Sequence, residues 1–157
     1  MREFQNVAEL ADCVGEEIGV SEWFSIDQNR INDFADATID HQFIHVDLER
    51  AAQTPFGGTI AHGFLTLSML VHLSTSIPVD ESYKNVSGVL MGINYGLNKV
   101  RFLNPVPAGS RVRATSQPID VSLKGNAIDL TRKMTVEIEG QEKPALIAEW
   151  IGRTVFA

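Results

Sequence analysis

Cysteine is nearly missing from this chain of 157 residues. Cys13 stands alone, so no internal disulfide can form and no second thiol supplies a metal-ligand spacing. Basic residues are the next scarcity: 13 lysines and arginines face 20 aspartates and glutamates, a formal charge of −7. That balance removes any global attraction to nucleic acid or to an anionic membrane and leaves only local basic patches for an anionic ligand. No uncharged apolar run reaches the roughly 18 residues that a membrane-spanning helix needs. The opening residues, 1–6, show no basic start followed by an apolar stretch, so no signal peptide is read there. A cytoplasmic protein is expected. The four histidines form no His-Glu-x-x-His pattern, and neither a metal nor another cofactor is expected. Internal repeats and low-complexity linkers are also lacking, which excludes solenoid architectures.

What is present fits one globular domain over residues 1–157, with 44% hydrophobic and 21% charged content. Val7, Leu10, Ala11 and Val14 recur at helical spacing, and Gly15 is placed to stop a short helix over residues 6–13. Residues 18–26 read as a strand. Asp27 then offers a capping oxygen for a helix through about Ala37, with Ile31, Phe34 and Ala35 on its apolar side. Asp47 is a second candidate cap, for a short helix through about Gln53, and residues 54–58 break the chain. From Gly63 to Leu73 apolar residues fall on nearly every face, the pattern of a helix enclosed by other structure.

Beyond Pro78 the period changes to two. Strands are expected over residues 86–95, 99–103, 111–121, 127–139 and 145–155, separated by turn residues such as Asn104-Pro105 and Gly125-Asn126. Ile128, Leu130, Met134, Val136 and Ile138 share one parity, so that strand lays one face on a core; Arg132 interrupts the face. Helices followed by consecutive hairpins predict an α+β fold in which an antiparallel sheet wraps a long central helix.

Function concentrates between Asp40 and Ser76. Asp40 and His45 are a carboxylate and an imidazole five residues apart, and the Ile60-Ala61-His62-Gly63 turn opens the apolar helix. Each has a plain structural explanation: Asp40 as a turn cap, His45 as a hydrogen-bonded core residue, the apolar run as core. The three stretches Asp40-x-x-x-x-His45, Ile60 to Thr66 and Val100 to Ser110, taken in order, resemble the MaoC-like hydratases, a hot-dog-fold family that includes (R)-specific enoyl-CoA hydratases. The likeness spans roughly residues 15–155. Gln42-Phe43 stands where well-known hydratases of the family carry Asn-Pro, which brings the chain nearer to the nodulation-protein-N-like branch.

The resemblance implies hydration of a trans-2-enoyl-CoA to the (R)-3-hydroxyacyl-CoA, or the reverse dehydration. It implies that an ionised Asp40 takes a proton from water while His45 holds the same water, and that the Gly63 backbone N–H binds the thioester oxygen. His62, beside that glycine, is a substrate-binding candidate or a structural neighbour of the turn. Lys99 and Arg101, with Arg111 and Arg113, are candidates for the phosphates of CoA, against their ordinary reading as solvated strand residues. The substrate partner is an acyl thioester of CoA or acyl carrier protein, and a homodimer is expected because the fold leaves a sheet edge open. A hot-dog acyl-CoA thioesterase and a non-catalytic acyl-thioester-binding module are the alternatives.

Overall fold

The computed structural model describes residues 9, 11–77 and 88–157. The helix expected over residues 6–13 therefore falls largely outside the described residues, as do Val86 and Ser87 of the first expected long strand. Within the described residues Cys13 is fully buried against Leu130, with Ile18 and Val121 beside it.

Six strands form one antiparallel sheet in the order β1-β4-β5-β6-β3, with β2 also on β4. They are β1 (Gly19–Val20), β2 (Phe24–Ile26), β3 (Val89–Phe102), β4 (Ser110–Lys124), β5 (Ala127–Ile138) and β6 (Leu146–Phe156). The single strand expected over residues 18–26 is thus two. Ser21 separates them by turning its side chain back on β4, where its hydroxyl oxygen accepts from the Ala114 N–H at 2.8 Å. In the other direction, the two strands expected at 86–95 and 99–103 are one. β3 absorbs register shifts after Val89, Asn94 and Leu97, and each shift breaks the period that would have revealed continuity.

Between β2 and the central rod lie three helical segments. Asp27 caps α1 (Gln28–Thr38) by accepting the Arg30 N–H, and Asp47 caps α3 (Leu48–Ala52) by accepting the Arg50 N–H, each at 2.9 Å. Between them the stretch that carries His45 winds into a turn of helix, α2 (Phe43–Val46). The rod itself is α4 (Gly63–Ser68) and α5 (Leu70–Thr75), kept in line because Met69 donates to Leu65 and accepts from Leu73. It covers the Gly63 to Leu73 stretch expected, in two segments, and continues to Thr75.

Leu65, Met69, Leu70 and Leu73 of the rod pack on Val112 and Ala114 of β4, Met134, Val136 and Ile138 of β5, and Leu146, Ala148 and Trp150 of β6. Each such side chain taken from water contributes roughly 1.5–3 kcal/mol, so this layer decides where the rod lies. The rod is not enclosed all round. Phe64 is 68% exposed and Val71 46%, leaving one face open on the side of β3.

Candidate active site

The α1 helix ends at Ile39, whose backbone adopts φ 62°, a left-handed conformation that a β-branched residue rarely takes. Among the described residues it is the only non-glycine with positive φ. The N–H groups of Ile39 and Asp40 both reach Ala35 O, so the strained residue closes the helix and releases Asp40 at a fixed place.

Three residues after Asp40 α2 begins, and it carries His45 inward. His45 Nδ1 lies 2.7 Å from Ile60 O. A carbonyl only accepts, so Nδ1 holds the proton and the neutral ring turns a lone pair on Nε2 outward. Gln28 ties the same turn to the next segment: its amide nitrogen donates to His45 O at 2.8 Å, and its oxygen accepts the Thr59 hydroxyl at 2.5 Å.

His62 immediately precedes α4. It is 2% exposed, its Nε2–H donates to Asp40 O at 2.9 Å, and its ring stacks on His45 with centroids 3.8 Å apart and planes 27° apart. One ring nitrogen of each histidine and a carboxylate oxygen of Asp40 all lie within 4.8 Å of one another. The group does not have the form of a metal site. Imidazole lone pairs lie in the ring planes, and two near-parallel planes this far apart cannot both contain one ion at the roughly 2.0–2.1 Å that histidine ligation requires.

Burial is the largest influence on His45 and pushes its imidazolium below the usual 6.5; the hydrogen bond to Ile60 opposes this, nearby His62 adds to it, and Asp40 opposes it. The neutral ring is the favoured form near neutral pH.

Gly63 opens α4, and as the first helical residue its N–H has no partner within the helix. A Cβ there would meet Phe102 ring carbons at 3.0–3.1 Å, so the aromatic ring lies directly on the glycine. The loop after β3 fixes this arrangement: Val106 O accepts the Ala61 N–H at 2.8 Å, and Thr59 O accepts the Ala108 N–H at 2.9 Å. His45, Gly63 and Thr66 line a cavity of about 340 Å³ whose remaining wall is apolar apart from Asn104, including Phe56, Ile60, Phe102, Leu103 and Val106. Asp40 is exposed beside His45.

Asp40, His45, His62 and Gly63, all singled out in the sequence, therefore come together. Lys99 and Arg101 do not line this cavity; both are exposed, Lys99 3.5 Å from Glu149 and Arg101 donating to Val100 O. Arg111 and Arg113 are committed elsewhere, to Glu139 and Glu137 across the β4–β5 pair. Missed in the sequence were Thr66, whose hydroxyl reaches His62 O, and Phe102 on its glycine. Both sit inside stretches already singled out, Ile60 to Thr66 and Val100 to Ser110, so a signal was present, but residue type alone does not separate Thr66 from the other core residues of an apolar helix.

A family model described as the MaoC like domain matches residues 9–139. The 3-hydroxyacyl-thioester dehydratase Z of Mycobacterium tuberculosis (strain H37Rv) is 54% identical over 156 residues, covering 99% of both chains. Nodulation protein N of Rhizobium leguminosarum bv. viciae is 48% identical over 93% of this chain and 89% of its own. Among solved structures, the unliganded R-hydratase PhaJ1 from Pseudomonas aeruginosa superposes with a TM-score of 0.68 at 22% identity, over 90% of this chain and 83% of that one. This last likeness concerns the fold, which is the hot-dog arrangement.

Proposed function

The chain belongs to the MaoC-like dehydratase family, and from that premise we propose that it interconverts trans-2-enoyl and (R)-3-hydroxyacyl thioesters by adding or removing water. The observation that carries this reading is the meeting of the Asp40 carboxylate and the His45 ring beside a cavity onto which Gly63 also opens. In the hydration direction one water lies between Asp40 and His45 Nε2. Its oxygen bonds to the β-carbon as one of its protons passes to the dyad, and the dyad returns a proton to the α-carbon, ending the turnover as it began. The electron pair of the double bond shifts toward the thioester oxygen meanwhile. The Gly63 N–H, at the head of the rod, meets the negative charge that develops there. The apolar wall of Phe56, Ile60, Leu103 and Val106 suits an acyl chain.

Purified protein mixed with crotonyl-CoA or a longer enoyl-CoA should bleach the absorbance of the conjugated thioester and yield the (R)-alcohol. Release of free thiol from a saturated acyl-CoA instead would make the protein a thioesterase, and binding without turnover at every chain length would make it a carrier module.

The whole site is read as belonging to one domain, acting in the cytoplasm; no helix among the described residues is long and apolar enough to cross a membrane. Lys99 and Arg101, near the Phe102 end of β3, remain the groups proposed for the phosphates of a CoA arm. The second copy of a homodimer is proposed to seat along β3. That strand ends the sheet order, pairs among the described residues only with β6, and exposes Leu90, Met91, Ile93, Tyr95 and Leu97, a long apolar edge of the kind that folded proteins cover. Sedimentation at working concentration should give twice the chain mass; a fully active monomer would refute the pairing.

A further inference from the structure

We propose that His62 is a positioning residue of the dyad, holding Asp40 through its main-chain carbonyl and His45 through ring stacking, and contacting neither water nor substrate in the chemical step. This deepens the hydration reading and rests on it. His62 is unusual in what it joins. Its Nε2–H is spent on Asp40 O at 2.9 Å, its ring stacks on that of His45 with centroids 3.8 Å apart, and Phe34 packs against it with centroids 5.0 Å apart. Its carbonyl accepts from both the N–H and the hydroxyl of Thr66. The residue is thereby held from both ends and couples α1, α2 and the mouth of α4.

The chemistry of its second nitrogen completes the argument. Nδ1 is buried with no hydrogen-bond partner among the described residues. As a lone pair this atom is tolerable there; as an N–H it would be a buried unpaired donor, which is more costly. The contact with Asp40 O therefore places the ring proton on Nε2, and His62 is a fixed N–H donor that holds the Asp40 backbone against the face-to-face histidine pair. Asp40 otherwise follows a strained residue on an exposed corner, where displacement by about 1 Å is enough to cost a hundredfold in rate.

His62→Phe keeps a ring for the stack and removes the donor; His62→Gln keeps an N–H donor of similar reach and removes the ring. With enoyl-CoA as probe, His62→Phe is expected to lower kcat about a hundredfold at unchanged KM, and His62→Gln to recover about tenfold of that loss. A kcat equal to wild type in His62→Phe, a Gln variant no better than Phe, or a change confined to KM would each overturn the proposal. If His62→Phe does not fold, His62→Gln alone decides, by a kcat about tenfold below wild type at unchanged KM or by its absence. An activity-free readout separates this inference from the reaction itself. Imidazole 15N spectra of the wild-type protein should show His62 as the Nε2–H tautomer, and the Nδ1–H tautomer would refute it. Failure of the wild type to hydrate any enoyl-CoA would instead refute the proposed function.

Discussion

Strand β5 and the segment from Ile39 to Gly63 are built by opposite means. In β5 the side chains do the specifying: Ile128, Leu130, Met134, Val136 and Ile138 alternate onto the core, and a shift of one residue would turn all of them to the other face. In the segment, the decisive acceptors are main-chain carbonyls. Ile60 O holds His45, Asp40 O holds His62, and His45 O is held by Gln28. A pattern of side chains can be read from a sequence, whereas a carbonyl has the same chemistry at every position. The strand therefore carries stability and the segment is proposed to carry the chemistry, and substitutions should separate the two.

The largest effect expected is on turnover. Asp40→Asn and His45→Ala should each reduce kcat by about 10²–10⁴-fold, the range for loss of a positioned acid or base, with the unfolding midpoint little changed in Asp40→Asn, whose side chain is exposed. Steady-state rates beside a urea titration measure both, and a variant that loses stability and activity together would blur the separation. Met134→Ala in β5 should do the reverse. Met134 is fully buried, and deleting its side chain costs about 2–5 kcal/mol, while the folded fraction should turn over near the wild-type rate.

Gly63→Ala lies on the boundary between the two regions. The new methyl would stand about 3.0 Å from the Phe102 ring, so overpacking of about 1–3 kcal/mol is expected along with a lower kcat. Pairing it with Phe102→Ala should return part of the stability but not the rate, if the amide at this position serves the thioester oxygen. Full recovery of rate in the pair would assign the defect to crowding alone.

The smallest effect is the pH dependence. Burial lowers the His45 value below 6.5, so the unfolded chain binds this proton more readily than the folded one. The stabilisation is complete above about 6.5 and is lost as pH falls from there toward the folded value. His45→Gln should flatten that part of an otherwise declining stability profile, and the acid limb of kcat/KM in the wild type should fall below 6.5. An acid limb above that value would contradict a neutral, desolvated ring.

Much of this molecule was legible beforehand, and the reasons differ by part. Asp27 and Asp47 announced their helices because capping is a local, side-chain event. The core face of β5 was plain, and Arg132, which broke it, turns out to lie buried with its guanidinium 4.3 Å from the Trp150 ring centre, where a cation can occupy an apolar layer. The continuity of β3 was hidden by its register shifts, and the helical turn carrying His45 was hidden because four residues give no period. At the site, spacing and family likeness pointed to Asp40, His45 and Gly63. They could not show that His62 reaches back to a carbonyl 22 residues earlier, nor that Lys99 and Arg101 lie outside the cavity lining.

The claim on which the account turns is that Asp40 and His45 act on one water as a unit. Turnover of an enoyl-CoA by Asp40→Asn, by His45→Gln and by the double variant measures this directly. Groups that share a single step are strongly non-additive, so the double variant should be about as slow as the slower single one. A double variant slowed by the full product of the two separate losses would show that the carboxylate and the imidazole work independently.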